Sequence, residues 1–278
     1  MMTAPIVVGI DGSPAGLRAV DLAVREAGLR NRPVRLVYAN TWTSHPAWAD
    51  VTPPDEVARR AVREALQRAG NSAKVTSEVV PGYPAAVLVE ESERAALLVV
   101  GHRGHDSLAG RTLGSVARSV ASHAHCPVLV ARGEPDATGY VLVGVPRTAQ
   151  GDAALGFAFE AASLRGAPLL ALHAWTGPAS SGPGDMLPLV YEPDEVAAEE
   201  SRVLDEALAR WPAKYPDVAV HRRVVRSRPG PALVEATAEA QLVVAGEHGH
   251  RGVSGWLVGS VTHLLLHQAH CPVAVVHR

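Results

Sequence analysis

Apolar and polar residues follow two rhythms along the first half of the chain. Short apolar runs, several of them rich in β-branched residues, recur at 6–10 (IVVGI), 34–39 (VRLVYA), 75–80, 95–100 (AALLVV) and 127–131. Runs of this length suit strands, and those that are apolar throughout suit strands buried on both faces. Between them, apolar positions fall three and four apart. Ser13 reads as a helix cap with Pro14 in the first turn, where a missing N–H costs nothing, and Leu17, Val20 and Val24 follow at helical spacing. Residues 55–69 place Val57, Ala61 and Ala65 on one face of an amphipathic helix, and residues 84–94 and 115–123 supply two more helices. Strands alternating with helices, joined by right-handed crossovers, predict a doubly wound α/β domain: a parallel sheet with helices on both faces. Ligands of such sheets sit beyond the carboxyl ends of the strands, where strand order reverses. That rule marks Ile10-Asp11-Gly12, Ala39-Asn40, and Val100-Gly101 with the loop after it.

The pattern is written twice. VVGIDGSPAG from Val7 aligns with LVGVPRTAQG from Leu142 at an offset of 135. Residues 97–131 align with 242–276 at an offset of 145, without a gap and with 15 of 35 positions identical. Shared glycines at one spacing over that length argue against two unrelated lobes. The second copy is ten residues longer, with the excess in the Gly/Pro/Ser-rich stretch 176–193 and near 210–217. The polar segment 132–139 (RGEPDATG) is the natural linker, so the expected domains are 1–133 and 139–278.

Composition narrows the function. With 47% hydrophobic and 19% charged residues the chain is globular, and a formal net charge of -2 argues against a broad nucleic-acid surface. Two cysteines exclude a disulfide scaffold. The start has no signal-peptide pattern, and no run approaches the roughly 18 apolar residues of a membrane span, so a soluble cytoplasmic protein is expected. Lysine occurs only at Lys74 and Lys214, neither in a glycine-rich stretch.

The candidate chemistry lies in the loop Gly101-His-Arg-Gly104, nine residues, Gly114-Ser115, repeated as Gly246-Glu-His-Gly249, nine residues, Gly259-Ser260. Gly101 and Gly104 let the backbone turn off a strand and let a ligand approach closely. Gly114 opens a helix whose free N–H groups and dipole favour an anion, and Ser115 adds a hydroxyl. The ligand part expected there is a phosphate chain held by backbone donors, without a lysine. The competing reading is a connection whose glycines serve only turns and the helix start. Neither the P-loop pattern nor a G-x-G-x-x-G after a strand occurs.

The pattern G-x2-G-x9-G-[ST], a first strand ending in Asp11 and a terminal CPV strand resemble the universal stress protein family, and both copies match the glycine motif. The resemblance implies two Rossmann-like, HUP-type domains, each with a five-stranded parallel sheet, in the ATP-binding branch of that family. It implies that Asp11 contacts the nucleoside, that Ile10, Ala39 and Val100 surround the adenine, and that Gly101, Gly104, Gly114, Ser115 and Val116 bind ribose and phosphates. The second copy would use Val145, Ala174, Ala245, Gly246, Gly249, Gly259, Ser260 and Val261. It departs at Pro146, the position of Asp11: proline has neither a carboxylate nor a backbone N–H. Losing a hydrogen bond to a charged group costs about 1.5–3 kcal/mol, so a weaker or empty second site is expected. The resemblance also implies an internal pseudo-dimer through the terminal strands and allows dimerisation of whole chains.

Other candidates read more plainly. Arg103 and Arg111, replaced by His248 and Trp256 in the second copy, are expected to be solvated loop residues rather than phosphate partners. His123 with His125, and His248 with His250, lack a third metal ligand at a sensible spacing. Ser115 has no nucleophile elbow around it, and Cys126 and Cys271 are expected to be buried. The leading expectation is a regulatory protein of the stress response that binds ATP, with or without Mg²⁺. The alternatives are a slow ATPase or adenylate-handling enzyme, and a ligand-free interaction module.

Overall fold

The computed structural model describes residues 3–41, 54–71, 74–104, 113–133, 138–147, 151–176, 193–246 and 259–277. The first half runs β1 (Ile6–Ile10), α1 (Pro14–Arg30), β2 (Val34–Asn40), α2 (Pro54–Ala69), β3 (Val75–Pro81), α3 (Pro84–Ser92), β4 (Leu97–Gly101), α4 (Ser115–His123) and β5 (Val128–Ala131). The second half runs β6 (Tyr140–Gly144), α5 (Asp152–Arg165), β7 (Leu169–Trp175), α6 (Pro193–Leu208), α7 (Trp211–Lys214), β8 (Val220–Arg226), α8 (Pro229–Ala236), β9 (Ala240–Gly246), α9 (Ser260–Gln268) and β10 (Val273–Val276). None of the described helices is long and apolar enough to cross a membrane.

The ten strands among the described residues form one sheet in the order β3-β2-β1-β4-β5-β10-β9-β6-β7-β8. Pairing is parallel within each half. At the centre β5 and β10 pair antiparallel, with Val130 opposite Val273 and Val128 opposite Val275. Two apolar edges that would each invite pairing thus cover one another. The antiparallel joint also sends the carboxyl ends of the two half-sheets in opposite directions.

Each sheet face carries one apolar core that crosses the joint. One is built from the sheet with α1, α2, α5 and α6, through Ala19, Ala23, Ala65, Ala158 and Leu204. The other is built with α3, α4, α8 and α9, through Leu88, Val120, Leu233 and Leu265. Central strands are buried on both faces, as their near-continuous apolar runs require. The outer strands β3 and β8 carry mostly exposed or half-exposed residues.

Two details differ from the periodic reading. Val57 is 63% exposed, and the buried stripe of α2 is Ala58, Ala61, Ala65 and Ala69. In α1 the buried residues are Ala15, Gly16, Ala19, Val20, Leu22, Ala23, Glu26 and Ala27, while Leu17 and Val24 are half-buried. The N-terminus of α1 is as expected: the Ser13 hydroxyl accepts from the Gly16 N–H at 3.0 Å. Part of the extra length of the second half forms α7, whose Trp211 stacks on Phe159 at 5.5 Å. Residues 177–192, which hold most of the remainder, lie outside the described residues. In the linker, Gly133 has φ +66 and its missing Cβ would fall 1.8 Å from the His270 carbonyl oxygen, so only glycine fits.

Candidate functional site

In the first half strand order reverses between β1 and β4. Ile10 and Val100 are buried at the ends of those strands and Ala39 is half-buried on β2. Asp11 follows β1 directly. Its Oδ1 accepts the Ser13 N–H at 2.9 Å. A methyl group on Gly16 would sit 2.7 Å from Oδ1, and one on Gly104 would sit 2.8 Å from Oδ2. The carboxylate therefore lies between the start of α1 and the glycine loop. It also acts on Tyr38, whose phenol is pushed up first by burial and then by the charge of Asp11.

The loop glycines differ in what they serve. A Cβ on Gly101 would lie 2.7 Å from the Ala15 carbonyl carbon and oxygen. Gly101 is thus required by contact with the α1 backbone, the role that the simpler reading of the loop assigned to it, whereas at Gly104 the close neighbour is the end of the Asp11 side chain. Gly114 is different. It is the N-cap of α4 with φ -65 and ψ 152, a conformation open to any residue, and it makes no side-chain cap bond. A Cβ there would meet nothing closer than 3.4 Å. Its N–H donates to the His102 carbonyl at 2.9 Å. Beyond it Ser115 is exposed and Val116 half-buried. The first turn of α4 has the unpaired N–H groups of any helix start. Residues 105–112, with Arg111, are outside the described residues.

His102, which periodicity did not single out, holds the loop. Its ring is buried, with Nδ1 3.0 Å from the Ala131 carbonyl oxygen and Nε2 accepting from Arg103 Nε at 2.9 Å. Burial pushes its pKa down to about 4, against the carbonyl contact that raises it and with help from the charges of Arg103, Arg132 and Arg18. The ring is neutral at pH 7 with its proton on Nδ1. Arg103 is therefore engaged and half-buried rather than merely solvated.

In the second half Val145, Ala245 and Gly259 are buried, Ala174, Gly246 and Val261 half-buried, and Ser260 exposed. Gly249, His248, His250 and Trp256 fall outside the described residues. Beside Pro146 lies a network without a counterpart among the described residues of the first half. His173, at the position of Tyr38, has Nδ1 2.7 Å from the Val145 carbonyl oxygen and Nε2 2.9 Å from Glu200 Oε2. Arg147 Nη1 donates to Glu200 Oε1 at 2.5 Å. Glu200 occupies in α6 the place of Ala61 in α2. The second cleft thus holds an internally paired carboxylate where the first presents Asp11 beside its glycine loop. The only sequence signal was Pro146-Arg147 in place of Asp11-Gly12.

His123 has Nδ1 2.8 Å from the Ser119 carbonyl oxygen, and His125 lies 3.9 Å from Glu93. Among the described residues no three His, Cys, Asp or Glu side chains gather as a metal site. Cys126 and Cys271 are buried, and burial pushes both thiols up to about 12.

The doubled glycine loop, the strand order and the paired terminal strands can be set against known proteins. Residues 2–132 and 139–277 each match the universal stress protein family. A universal stress protein of Mycobacterium tuberculosis is 39% identical, covering 97% of this chain and 95% of its own. The crystal structure of a universal stress protein from Archaeoglobus fulgidus superposes with a TM-score of 0.73 at 20% identity over the whole of both chains, which shows the shared fold. A second structure from Archaeoglobus fulgidus, a universal stress protein in complex with dAMP, covers 47% of this chain and 98% of its own at 25% identity and a TM-score of 0.38. Two family matches that together span nearly the entire sequence, and a relative alike from end to end, place this chain in the universal stress protein family, with the family domain present in tandem.

Proposed function

We propose that this protein binds ATP, with or without Mg²⁺, in the cleft of its first half and acts as a regulatory nucleotide binder rather than as a catalyst. The observation that carries this reading is Gly114. Among the described residues a methyl group there would meet only ordinary contacts, yet the position is glycine, at the start of a helix whose first amides have no partner within it. A phosphate chain lying against the backbone explains the choice. In this reading Gly101, Gly104, Gly114, Ser115 and Val116 hold ribose and phosphates, Ile10, Ala39 and Val100 line the adenine, and Asp11 accepts hydrogen bonds from the nucleoside. A bound divalent cation would neutralise phosphate charge. The protein's part is to supply the amides and the carboxylate.

The second cleft, with Val145, Ala174, Ala245, Gly246, Gly249, Gly259, Ser260 and Val261, binds more weakly. Pro146 offers no carboxylate, and Glu200 is already paired with Arg147 and His173.

The test is to denature the purified protein and count released adenine nucleotide per chain, then to titrate ATP by calorimetry and thermal shift. One tight and one weak event are expected. At about 100 times Kd the ligand stabilises by about 2.7 kcal/mol. No co-purifying nucleotide and no shift at millimolar ATP reject the reading, and two events of matched affinity reject the asymmetry.

A further inference from the structure

The two helices that open at the glycine loops are closed at their far ends by side chains from the opposite half. Arg132, the first residue after β5, donates Nε to the Ala269 carbonyl at 2.8 Å, Nη1 to Leu266 at 3.2 Å and Nη2 to His267, all at the end of α9. His277, the first residue after β10, places Nε2 3.1 Å from the Ala121 carbonyl oxygen in the last turn of α4 and Nδ1 3.1 Å from that of Cys126, between α4 and β5. Arg132 and His277 stand 145 positions apart, as do Ala121 and Leu266, so one contact is made twice across a pseudo-twofold axis.

The antiparallel joint makes this reciprocity possible. It carries α4 from the first cleft toward the strand ends of the second half, and α9 the other way. Each helix has nine residues, so at 1.5 Å per residue it spans about 13 Å. Arg132 is itself tied to the first cleft. The Ala131 carbonyl accepts the His102 Nδ1–H, and the His102 carbonyl accepts the Gly114 N–H. A continuous set of contacts thus runs from the first glycine loop through Arg132 into α9.

We propose that Arg132 and His277 are positioning residues: each sets where the other half's anion-binding helix begins, and through them occupancy of one cleft changes affinity at the other. The inference rests on the nucleotide reading above. The last carbonyls of a helix have no partner within it, so donors from outside fix its end in space. A short helix carries that placement to its first turn, whose amides must meet a phosphate at hydrogen-bond distance. A side chain acting only as glue between the halves would lower stability and leave both sites equally affected.

The experiment uses the full chain and calorimetry with ATP, the tight event being assigned to the first cleft by its loss in Asp11→Ala. His277→Ala should weaken that event on the order of tenfold, the effect of one or two hydrogen bonds. His277→Arg, which installs the residue used at the equivalent position of the first half, should restore it, and Arg132→Gln should leave it much closer to wild type. An unchanged affinity in folded His277→Ala overturns the proposal. So does an equal loss in Arg132→Gln. Amide exchange provides a readout that needs no nucleotide. In His277→Ala the Arg118 amide, bonded to Gly114 at the start of α4, should exchange faster together with the Ala124 amide at its end. Faster exchange at Ala124 alone overturns the proposal even if the protein binds no ATP, and absent ATP binding with coupled exchange defeats only the nucleotide reading.

Discussion

Arg30 and Arg165 occupy equivalent positions in the two halves, 135 residues apart, and both reach the same carboxylate, Glu26. Arg30 Nε donates to Glu26 Oε2 at 3.1 Å and its Nη1 to Glu160 Oε1 at 2.9 Å, while Arg165 donates to Glu26 Oε1. Glu26 is 1% exposed, and its counterpart in the second half is Ala161, so the pseudo-symmetry is broken at the residue on which both cations depend. Burial lowers the Arg165 pKa and the charge of Glu26 opposes that shift.

Removing Glu26 takes the carboxylate from the buried Arg165 and leaves Arg30 with Glu160 alone. Breaking a buried pair by deleting one partner costs about 3–5 kcal/mol. Glu26→Ala should lose stability of that order in urea unfolding followed by circular dichroism. A loss below about 1 kcal/mol would show that water or Glu160 takes over the charge.

Gly101 and Gly114 should part company when each is changed to alanine. Gly101→Ala forces a methyl group onto the Ala15 backbone and should cost about 1–3 kcal/mol of stability. Gly114→Ala meets only ordinary contacts and should melt near wild type, yet bind ATP more weakly because the methyl group enters the path of the phosphate. Thermal melts with and without ATP check both. Unchanged ATP affinity in Gly114→Ala would count against the nucleotide cleft.

His102 makes stability depend on pH. Burial holds its folded pKa near about 4, against about 6.5 in the unfolded chain. The folded state binds the neutral ring, so protonation favours unfolding. Its contribution is complete above pH ~6.5, declines as the pH falls through ~4, and levels off once the folded ring is protonated too. The wild type should therefore lose up to about 3 kcal/mol more than His102→Asn between pH 7 and pH 4. Urea titrations at intermediate pH values decide this, and parallel curves for the two proteins would contradict it.

Cys126 and Cys271 should resist thiol reagents in the native protein. Both are buried with thiols pushed up to about 12, so the reactive thiolate is scarce and shielded. Two thiols should react quickly only after denaturation. Fast modification of the folded protein would show that the strand starts open.

Local features were readable from the chain because their causes are local. Ser13 caps α1 since the acceptor and the Gly16 amide are three residues apart. The apolar runs became strands and the glycine loop fell at the carboxyl end of β4, because alternation with helices leaves few topologies. On α2, Ala61 and Ala65 are buried as expected and only Val57 is not: it is the larger apolar residue, but the buried stripe starts at Ala58. His102 was missed because its burial depends on Ala131 and Arg103 closing over it. His173 and Glu200 were missed because they meet only when β7 and α6 pack.

The amino-acid sequence by itself determined the duplicated α/β domain, the placement of both glycine loops and the loss of the aspartate at Pro146, all properties of periodicity and short spacing. The tertiary structure alone decided which residues meet between the halves: Arg165 with Glu26, Arg132 with the end of α9, and His277 with the end of α4. These pairs lie more than a hundred residues apart, and they form because β5 and β10 pair antiparallel in one register. A periodic pattern states which face of a strand is apolar. It does not state which partner lies alongside, and that register sets every contact across the joint.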